Sequence, residues 1–146
     1  MRHELNPVRH ALREGVPLLS GNDAQRQFVL AYGKAFEPAA LPKGMRHRRV
    51  GSCFESSAKF VIDPQNRDAG MTYVEGFAIG PGSPLPVHHA WLARDGAVID
   101  LTWRWAHEAA YFGIEFPPAL VAQAMFARGY YGMLDPVDDL ITSSIA

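Results

Sequence analysis

Val87-His-His-Ala-Trp-Leu-Ala-Arg-Asp-Gly-Ala-Val-Ile-Asp-Leu-Thr-Trp103 is the stretch that decides the fold of this chain. The dipeptide Asp95-Gly96 is a strong hairpin signal, because both residue types tolerate the backbone angles of a tight turn. The runs on either side, residues 87–93 and 97–103, are rich in β-branched and aromatic residues. The stretch therefore predicts two antiparallel strands joined by a short turn at residues 94–96.

A further strand precedes this hairpin. Residues 71–79, Met-Thr-Tyr-Val-Glu-Gly-Phe-Ala-Ile, again combine β-branched and aromatic side chains. A loop rich in glycine and proline, residues 80–86, separates this strand from the hairpin. The three segments predict an antiparallel meander, and residues 111–116 are compatible with one more strand.

Helical patterns flank the predicted sheet on both sides. Capping residues, helix-period apolar positions and terminating prolines or glycines define them. The predicted helices cover residues 7–13, residues 22 or 23 to about 36, residues 53 to about 63, and residues 117–127. Residues 130–146 carry weaker signals and are predicted to form a loose tail. This order predicts a single α+β domain over residues 1–146, with N-terminal helices packed on a small antiparallel sheet.

Length and composition indicate one globular domain. The chain has 146 residues, of which 48% are hydrophobic and 20% charged, so it can bury a core and is too apolar for a disordered chain. Its net charge of −1 argues against a general nucleic-acid binder. The apolar runs are too short to cross a bilayer, and the start lacks the apolar core of a signal peptide. A cytoplasmic location is therefore the expectation.

One local cluster of charge departs from this balance. The segment from Lys43 to Arg49 places four basic residues and one histidine within seven positions. One interpretation is a solvated loop that leads into the next helix. The other is a surface that contacts an acidic partner or a phosphate group.

The only cysteine of the chain falls at the predicted start of a helix. A single cysteine excludes an intramolecular disulfide and a cysteine-based zinc cluster. Gly51-Ser52 fits a helix boundary just before Cys53, where unpaired N–H groups and a partial positive charge stabilise a thiolate. The same N–H groups can receive the oxyanion of a tetrahedral intermediate. Cys53 is therefore the candidate nucleophile, and a small buried core residue is the alternative.

His89 and Asp100 flank the predicted turn and supply the other two groups of a catalytic triad. Histidine titrates in the range that allows it to accept a proton and pass it onward. Across a turn at residues 94–96, the two side chains lie opposite each other or one diagonal step apart on one face. A carboxylate in such an apolar run needs a partner, and the imidazole is the natural one. Asp100 is thus predicted to orient His89 as general base and acid.

Three motifs resemble the core of the transglutaminase-like superfamily: Gly51-Ser-Cys53, His89-Ala-Trp91 and Val98-Ile-Asp100-Leu-Thr102. That family belongs to the wider papain-like group of cysteine enzymes. Its pattern is a cysteine that opens a helix, a His-small-aromatic strand, and a strand that ends in Asp-x-Thr. The spacings, 36 residues from cysteine to histidine and 11 from histidine to aspartate, also fit, and the resemblance spans residues 51–103. The resemblance implies a papain-like core and the same triad.

Four side chains near the triad are candidate substrate contacts. They are Tyr73 and Glu75 on the first strand, Trp91 two positions after His89, and Trp103 at the end of the hairpin. Trp91 shares the predicted face of His89, because alternate residues of a strand point the same way. Packing in the core is the alternative for the tryptophans, and a solvated position is the alternative for Glu75.

His88 and His89 are adjacent, so on a strand their side chains face opposite sides. The position directly before Ala-Trp selects His89 for the triad and leaves His88 on the surface or on the second face. A metal site of two histidines and an aspartate is a weak rival, since neighbours on opposite faces cannot jointly chelate one ion.

These residues predict a cysteine hydrolase that attacks an amide or peptide-type carbonyl through a thioester intermediate. The expected substrate is a protein, a peptide or a small amide, and the chemistry requires no metal or organic cofactor. Acyl transfer to an amine, including transglutaminase-type crosslinking, is the close alternative. The second hypothesis is a non-catalytic binding module on the same fold, with the segment from Lys43 to Arg49 as its contact surface.

Overall fold

Five α-helices and five β-strands lie within residues 5–145, the part of the chain that the computed structural model describes. The helices are α1 (Pro7–Arg13), α2 (Asp23–Tyr32), α3 (Cys53–Ile62), α4 (Pro118–Arg128) and α5 (Asp139–Ile145). The strands are β1 (Lys34–Phe36), β2 (Thr72–Ile79), β3 (Val87–Arg94), β4 (Ala97–Ile99) and β5 (Ala110–Phe116). The predicted α+β class is confirmed, although residues 1–4 and 146 of the predicted domain lie outside the described residues. None of the helices in the described part combines the length and apolar character that a bilayer crossing requires.

The strands form one antiparallel sheet in the order β1-β5-β2-β3-β4. The predicted meander is confirmed, because β2 pairs with β3 and β3 pairs with β4. The turn between β3 and β4 has positive φ angles at Asp95 (54°) and Gly96 (79°), as the Asp-Gly signal predicts. β5 lies between β1 and β2, so it pairs with the strand edge that the meander leaves open.

The sheet curls so that its two edge strands approach each other. Glu37, directly after β1, forms a parallel bridge with Ala97 at the start of β4. The amide of Glu37 donates to the carbonyl of Gly96, and its carbonyl accepts from the amide of Val98, both at 2.9 Å. One core cluster lies between the helices and one face of the sheet. The opposite face carries a second cluster, whose largest members are Phe36, Trp91, Trp103 and Tyr111.

The second helix is shorter than the sequence predicts. The helical period continues to Phe36, but α2 ends at Tyr32 and residues 34–36 form β1. Gly33 leaves the helix in an extended conformation with ψ 170°. A Cβ atom on Gly33 would lie 2.5 Å from the carbonyl oxygen of Val29 and 2.9 Å from the Phe112 ring. Only glycine fits this close approach, and directly after it the chain pairs with β5.

The strand after the turn is also shorter than predicted, since β4 ends at Ile99 and not at Trp103. The carboxylate of Asp100 accepts hydrogen bonds from the amides of Thr102 and Trp103, both at 2.9 Å. Local bonds of this kind compete with the pairing of strands. The candidate triad carboxylate is therefore the residue that turns the chain out of the sheet.

The last part of the chain is packed more firmly than the predicted loose tail. Met133, Leu134 and Ile141 are fully buried and belong to the core cluster beneath the helices. α4 ends at Gly129, which adopts the left-handed conformation with φ 76°. The apolar residues after this cap are interrupted by Gly132 and by Asp135-Pro136, and for this reason their periodicity gives no clear signal of the burial.

A close approach between β2 and β5 leads to the first prediction. Gly76 faces Gly113, and a Cβ atom on Gly76 would lie 2.4 Å from the Cα atom of Gly113. We expect Gly76→Ala to lower the free energy of unfolding by about 2 kcal/mol or more, because the opposing backbone cannot move aside. Urea unfolding monitored by circular dichroism measures this loss.

Gly82→Ala is the matched control for that substitution. A Cβ atom on Gly82 meets nothing within 4 Å. The free energy of unfolding of the Gly82→Ala variant should therefore differ from that of the wild type by no more than about 0.5 kcal/mol. Equal stabilities of the two variants would contradict the packing of β2 against β5.

Candidate active site

Cys53 is the first residue of α3, as the sequence predicts. Gly51 leads the chain into this helix with a left-handed φ of 95°. Ser52 makes no side-chain capping bond. Its hydroxyl instead donates to the carbonyl of Arg49 at 2.7 Å and bonds the hydroxyl of Ser56 at 2.8 Å. No side chain therefore caps the first-turn amides of α3, which lie at the same end of the helix as the thiol. Cys53 itself is 7% exposed to solvent.

His89 and Asp100 meet as predicted from the two strands of the hairpin. The Nε2 atom of His89 lies 2.8 Å from the Oδ2 atom of Asp100. Both side chains are buried, with residue exposures of 2% and 0%. A buried carboxylate is stable only when it is paired and hydrogen-bonded, and the imidazole supplies that pairing.

Five hydrogen bonds hold the carboxylate of Asp100. Its Oδ2 atom accepts from the hydroxyl of Tyr111 at 2.7 Å in addition to the bond with His89. Its Oδ1 atom accepts from the amides of Thr102 and Trp103 and from the hydroxyl of Thr102 at 3.3 Å. Burial alone would raise the pKa of Asp100, but the bond to His89, the charge of that imidazole and the bond from Tyr111 lower it. Asp100 is therefore ionised at neutral pH and fixed in position.

The thiol of Cys53 lies close enough to the imidazole of His89 to influence its pKa. Burial by itself lowers the pKa of His89, but the hydrogen bond and charge of Asp100, followed by those of Cys53, raise it to about 9. Because Nε2 faces Asp100, Nδ1 is the ring nitrogen that remains for the thiol. The structure thus brings the three predicted residues together in the order thiol, imidazole, carboxylate.

Aromatic rings enclose the imidazole. The ring of Trp103 stacks on His89 with centroids 4.2 Å apart and planes inclined by 26°. Trp91 and Tyr111 lie further away, at 6.0 Å and 6.3 Å. Stacked rings favour the protonated imidazole, because its charge lies over their π-electrons. They also fix the plane of the ring between the thiol and the carboxylate.

The four predicted substrate contacts occupy different environments. Trp103 is 9% exposed and lines an open cleft. Tyr73, Glu75 and Trp91 are fully buried, so none of them offers exposed surface to a substrate. A substrate-binding role for these three stays a prediction, and their burial favours roles in packing and positioning.

Glu75 forms a second histidine–carboxylate pair on the opposite face of the sheet. Its carboxylate accepts from the hydroxyl of Tyr73 at 2.5 Å and lies 2.8 Å from Nε2 of His88. It also accepts from the amides of Met133 at 2.7 Å and Leu134 at 3.1 Å. Sequence reasoning places His88 on the second face, but the anchoring of residues 133–134 has no local signal, because backbone amides of any residue can donate.

The charge of Cys53 also acts on Tyr73, which belongs to this second network. Burial, the charge and hydrogen bond of Glu75 and then the charge of Cys53 raise the pKa of Tyr73 well above its ordinary value. The thiol therefore lies within electrostatic range of both networks. No group of three or more His, Cys, Asp or Glu side chains within residues 5–145 is arranged to hold a metal ion.

The basic segment Lys43–Arg49 passes close to the candidate site. The amide of Arg48 donates to the carbonyl of Leu101 at 2.5 Å, so the segment runs beside the turn that follows β4. Arg48 and Arg49 line an open cleft of about 510 Å³ on the outer side of α3. The binding of an acidic partner at this segment stays a prediction.

Comparison of the chain with family models, with curated proteins and with solved structures finds no match. The resemblance of residues 51–103 to transglutaminase-like enzymes therefore stays a prediction from the sequence motifs.

The pH dependence of stability tests the His89–Asp100 pair. The pKa of His89 is about 9 in the folded chain and 6.5 for an unperturbed histidine, so protonated His89 stabilises the fold fully below about pH 6.5 and this contribution is lost as the pH rises through 9. The lowered pKa of Asp100 places its own loss at acidic pH. We expect the stability difference between wild type and His89→Gln to shrink by up to about 3 kcal/mol between about pH 6 and pH 10.

Urea unfolding across this pH range measures the effect. The exposed His107, whose side chain is 55% accessible, provides the control His107→Gln, which should follow the wild-type curve. A difference between wild type and His89→Gln that is constant or grows with pH would contradict the raised pKa of His89.

The Glu75 network leads to a further prediction. Glu75→Gln retains the shape of the side chain but turns one acceptor into a donor that faces other donors. We expect a loss of roughly 2–4 kcal/mol in the free energy of unfolding, since a buried network is left incomplete. Faster amide hydrogen exchange at Met133 and Leu134 should accompany it.

Glu115→Gln is the matched control, because the side chain of Glu115 is 30% exposed and pairs with Lys34 at 2.9 Å. Its loss should stay below about 1 kcal/mol. If both variants lose the same stability, Glu75 does not anchor residues 133–134.

Proposed function

We propose that this chain is a cysteine-nucleophile hydrolase with Cys53 as nucleophile, His89 as general base and acid, and Asp100 as the residue that orients the imidazole. The observation that carries the proposal is a buried imidazole, held by Asp100 and with its pKa raised to about 9, beside a thiol at a helix N-terminus. The raised pKa makes the neutral imidazole a good acceptor of the thiol proton at Nδ1, and the imidazolium that results stabilises the thiolate of Cys53. The resulting ion pair is the reactive form of a cysteine nucleophile.

The reaction proceeds in two steps on an amide or peptide-type carbonyl. The thiolate of Cys53 attacks the carbonyl carbon, and the electron pair of the C=O bond moves to oxygen. The first-turn amides of α3 stabilise that oxyanion. Nδ1 of His89 then gives its proton to the leaving nitrogen, the C–N bond breaks, and a thioester remains on Cys53.

Hydrolysis completes the cycle. His89 takes a proton from water, the hydroxide oxygen bonds to the thioester carbon, and the C–S bond breaks to release a carboxylic acid. An amine in place of water gives acyl transfer by the same steps, which keeps a transglutaminase-type activity as the alternative. These steps require no metal or organic cofactor.

The arrangement also supports a papain-like core as the fold of the proposed enzyme. A helix that begins with the nucleophile packs against a curled antiparallel sheet, and adjacent strands supply the imidazole and the carboxylate. The proposed substrate is a protein, a peptide or a small amide.

The enclosure of the triad favours one second candidate, a non-catalytic binding module. Cys53 and His89 are 7% and 2% exposed, so a thiol held only for packing is consistent with this burial. In that case the exposed basic residues of the Lys43–Arg49 segment would form the contact surface for an acidic partner.

Alkylation of Cys53 by iodoacetamide separates the two candidates. For each variant we take the ratio of the rate at about pH 6 to the rate at about pH 8.5, because this ratio cancels the accessibility of the thiol. The alkylation rate of an ordinary thiol falls steeply when the pH is lowered from about 8.5 to about 6, since a free thiol ionises near pH 8.5. We expect the wild-type ratio to exceed the His89→Ala ratio by at least about 10-fold.

His107→Ala controls for the loss of an exposed histidine, and Cys53→Ala confirms the site of modification by mass spectrometry. An ordinary thiol profile in wild type, unchanged in His89→Ala, would favour the binding module and reject the enzyme.

A further inference from the structure

An apolar cleft borders the candidate triad on its imidazole side. It has a volume of about 390 Å³, and its lining is almost wholly apolar. The apolar side chains that line it are Pro81, Leu85, Val87, Trp103 and Trp105. Ligand pockets have this size and character, with volumes upward of about 300 Å³.

Trp103 connects the cleft with the triad. The same indole ring that lines the cleft stacks on the imidazole of His89 at 4.2 Å, and it lies 5.4 Å from the ring of Trp105. Val87 also lines the cleft, and it lies two residues before His89 on the same face of β3. A substrate whose carbonyl is held at Cys53 could therefore place a neighbouring group in this cleft.

We propose, on the basis of the function proposed above, that this cleft binds a bulky aliphatic or aromatic group next to the scissile amide. The chemistry of the lining decides the class of substrate, because no charged side chain lines the cleft. A charged substrate group would lose its water without gaining a partner there. An aromatic ring would instead pack against the two indoles and against Leu85.

Two other clefts fit this role less well. The open cleft on the outer side of α3 carries Arg48, Arg49 and Lys59. A second apolar cleft, lined by Ile62, Met125 and Phe126, lies at the C-terminal end of α3, about 15 Å along the helix from its N-terminus. Of these three clefts, the one at Trp103 alone shares a side chain with the environment of His89.

Selectivity of alkylation at Cys53 tests the assignment. We compare iodoacetamide with N-benzyl and N-phenethyl iodoacetamide at about pH 8.5, where an ordinary thiol is already partly ionised. The wild-type protein should react at least about 10-fold faster with one of the aromatic reagents, and that rate should saturate with concentration. Trp105→Ala and, independently, Leu85→Asp should reduce the preference to within about 2-fold of none.

Phe126→Ala is the matched control, since it removes a 93% exposed aromatic ring from the distant apolar cleft and should leave the preference unchanged. Equal wild-type rates for all reagents, or a preference that survives in folded Trp105→Ala and Leu85→Asp, would overturn the assignment. The ratio of the rates for two reagents is measured at one pH, so it does not depend on how the reactivity of the thiol changes with pH. Failure of the enzyme proposal, which appears in the pH profile of plain iodoacetamide, is therefore a separate result.

Discussion

The buried carboxylate of Asp100 is the group on which the site depends. It accepts five hydrogen bonds, two of them from the amides that follow it in the chain. Those two bonds end β4 and turn the chain beneath His89. The remaining bonds hold the imidazole and the hydroxyl of Tyr111. A single carboxylate thus couples the end of a strand to the orientation and charge of the ring beside Cys53, and a fully buried charge cannot persist without these partners.

The two adjacent histidines of β3 pair with different carboxylates. His89 faces Asp100 on one side of β3, while His88 faces Glu75 on the other side. The second pair also fixes the amides of residues 133–134 and so brings the C-terminal part of the chain onto the sheet. The alternation of side chains along one strand therefore gives each histidine its own carboxylate. Cys53 lies within electrostatic range of both networks.

Local signals predict much of this arrangement. The Asp95-Gly96 turn predicts the hairpin, and the hairpin predicts that His89 meets Asp100. The position of β5 between β1 and β2 was not predictable, because pairing between distant segments leaves no mark in either segment alone. The helix that ends early at Gly33 shows the same limit, since its glycine is required by contact with Phe112. The substrate contacts were the least predictable, because aromatic residues suit a core and a cleft equally well.

The protonation state of His89 is the most direct test of the central claim that Asp100 keeps an imidazolium beside the thiol. Nuclear magnetic resonance of imidazole-labelled protein reports this state through the ring nitrogen shifts as the pH is varied. The account predicts that His89 titrates near pH 9, and that Asp100→Asn moves this transition to or below the ordinary value of about 6.5. A neutral His89 at pH 7, with the same titration in wild type and Asp100→Asn, would contradict it.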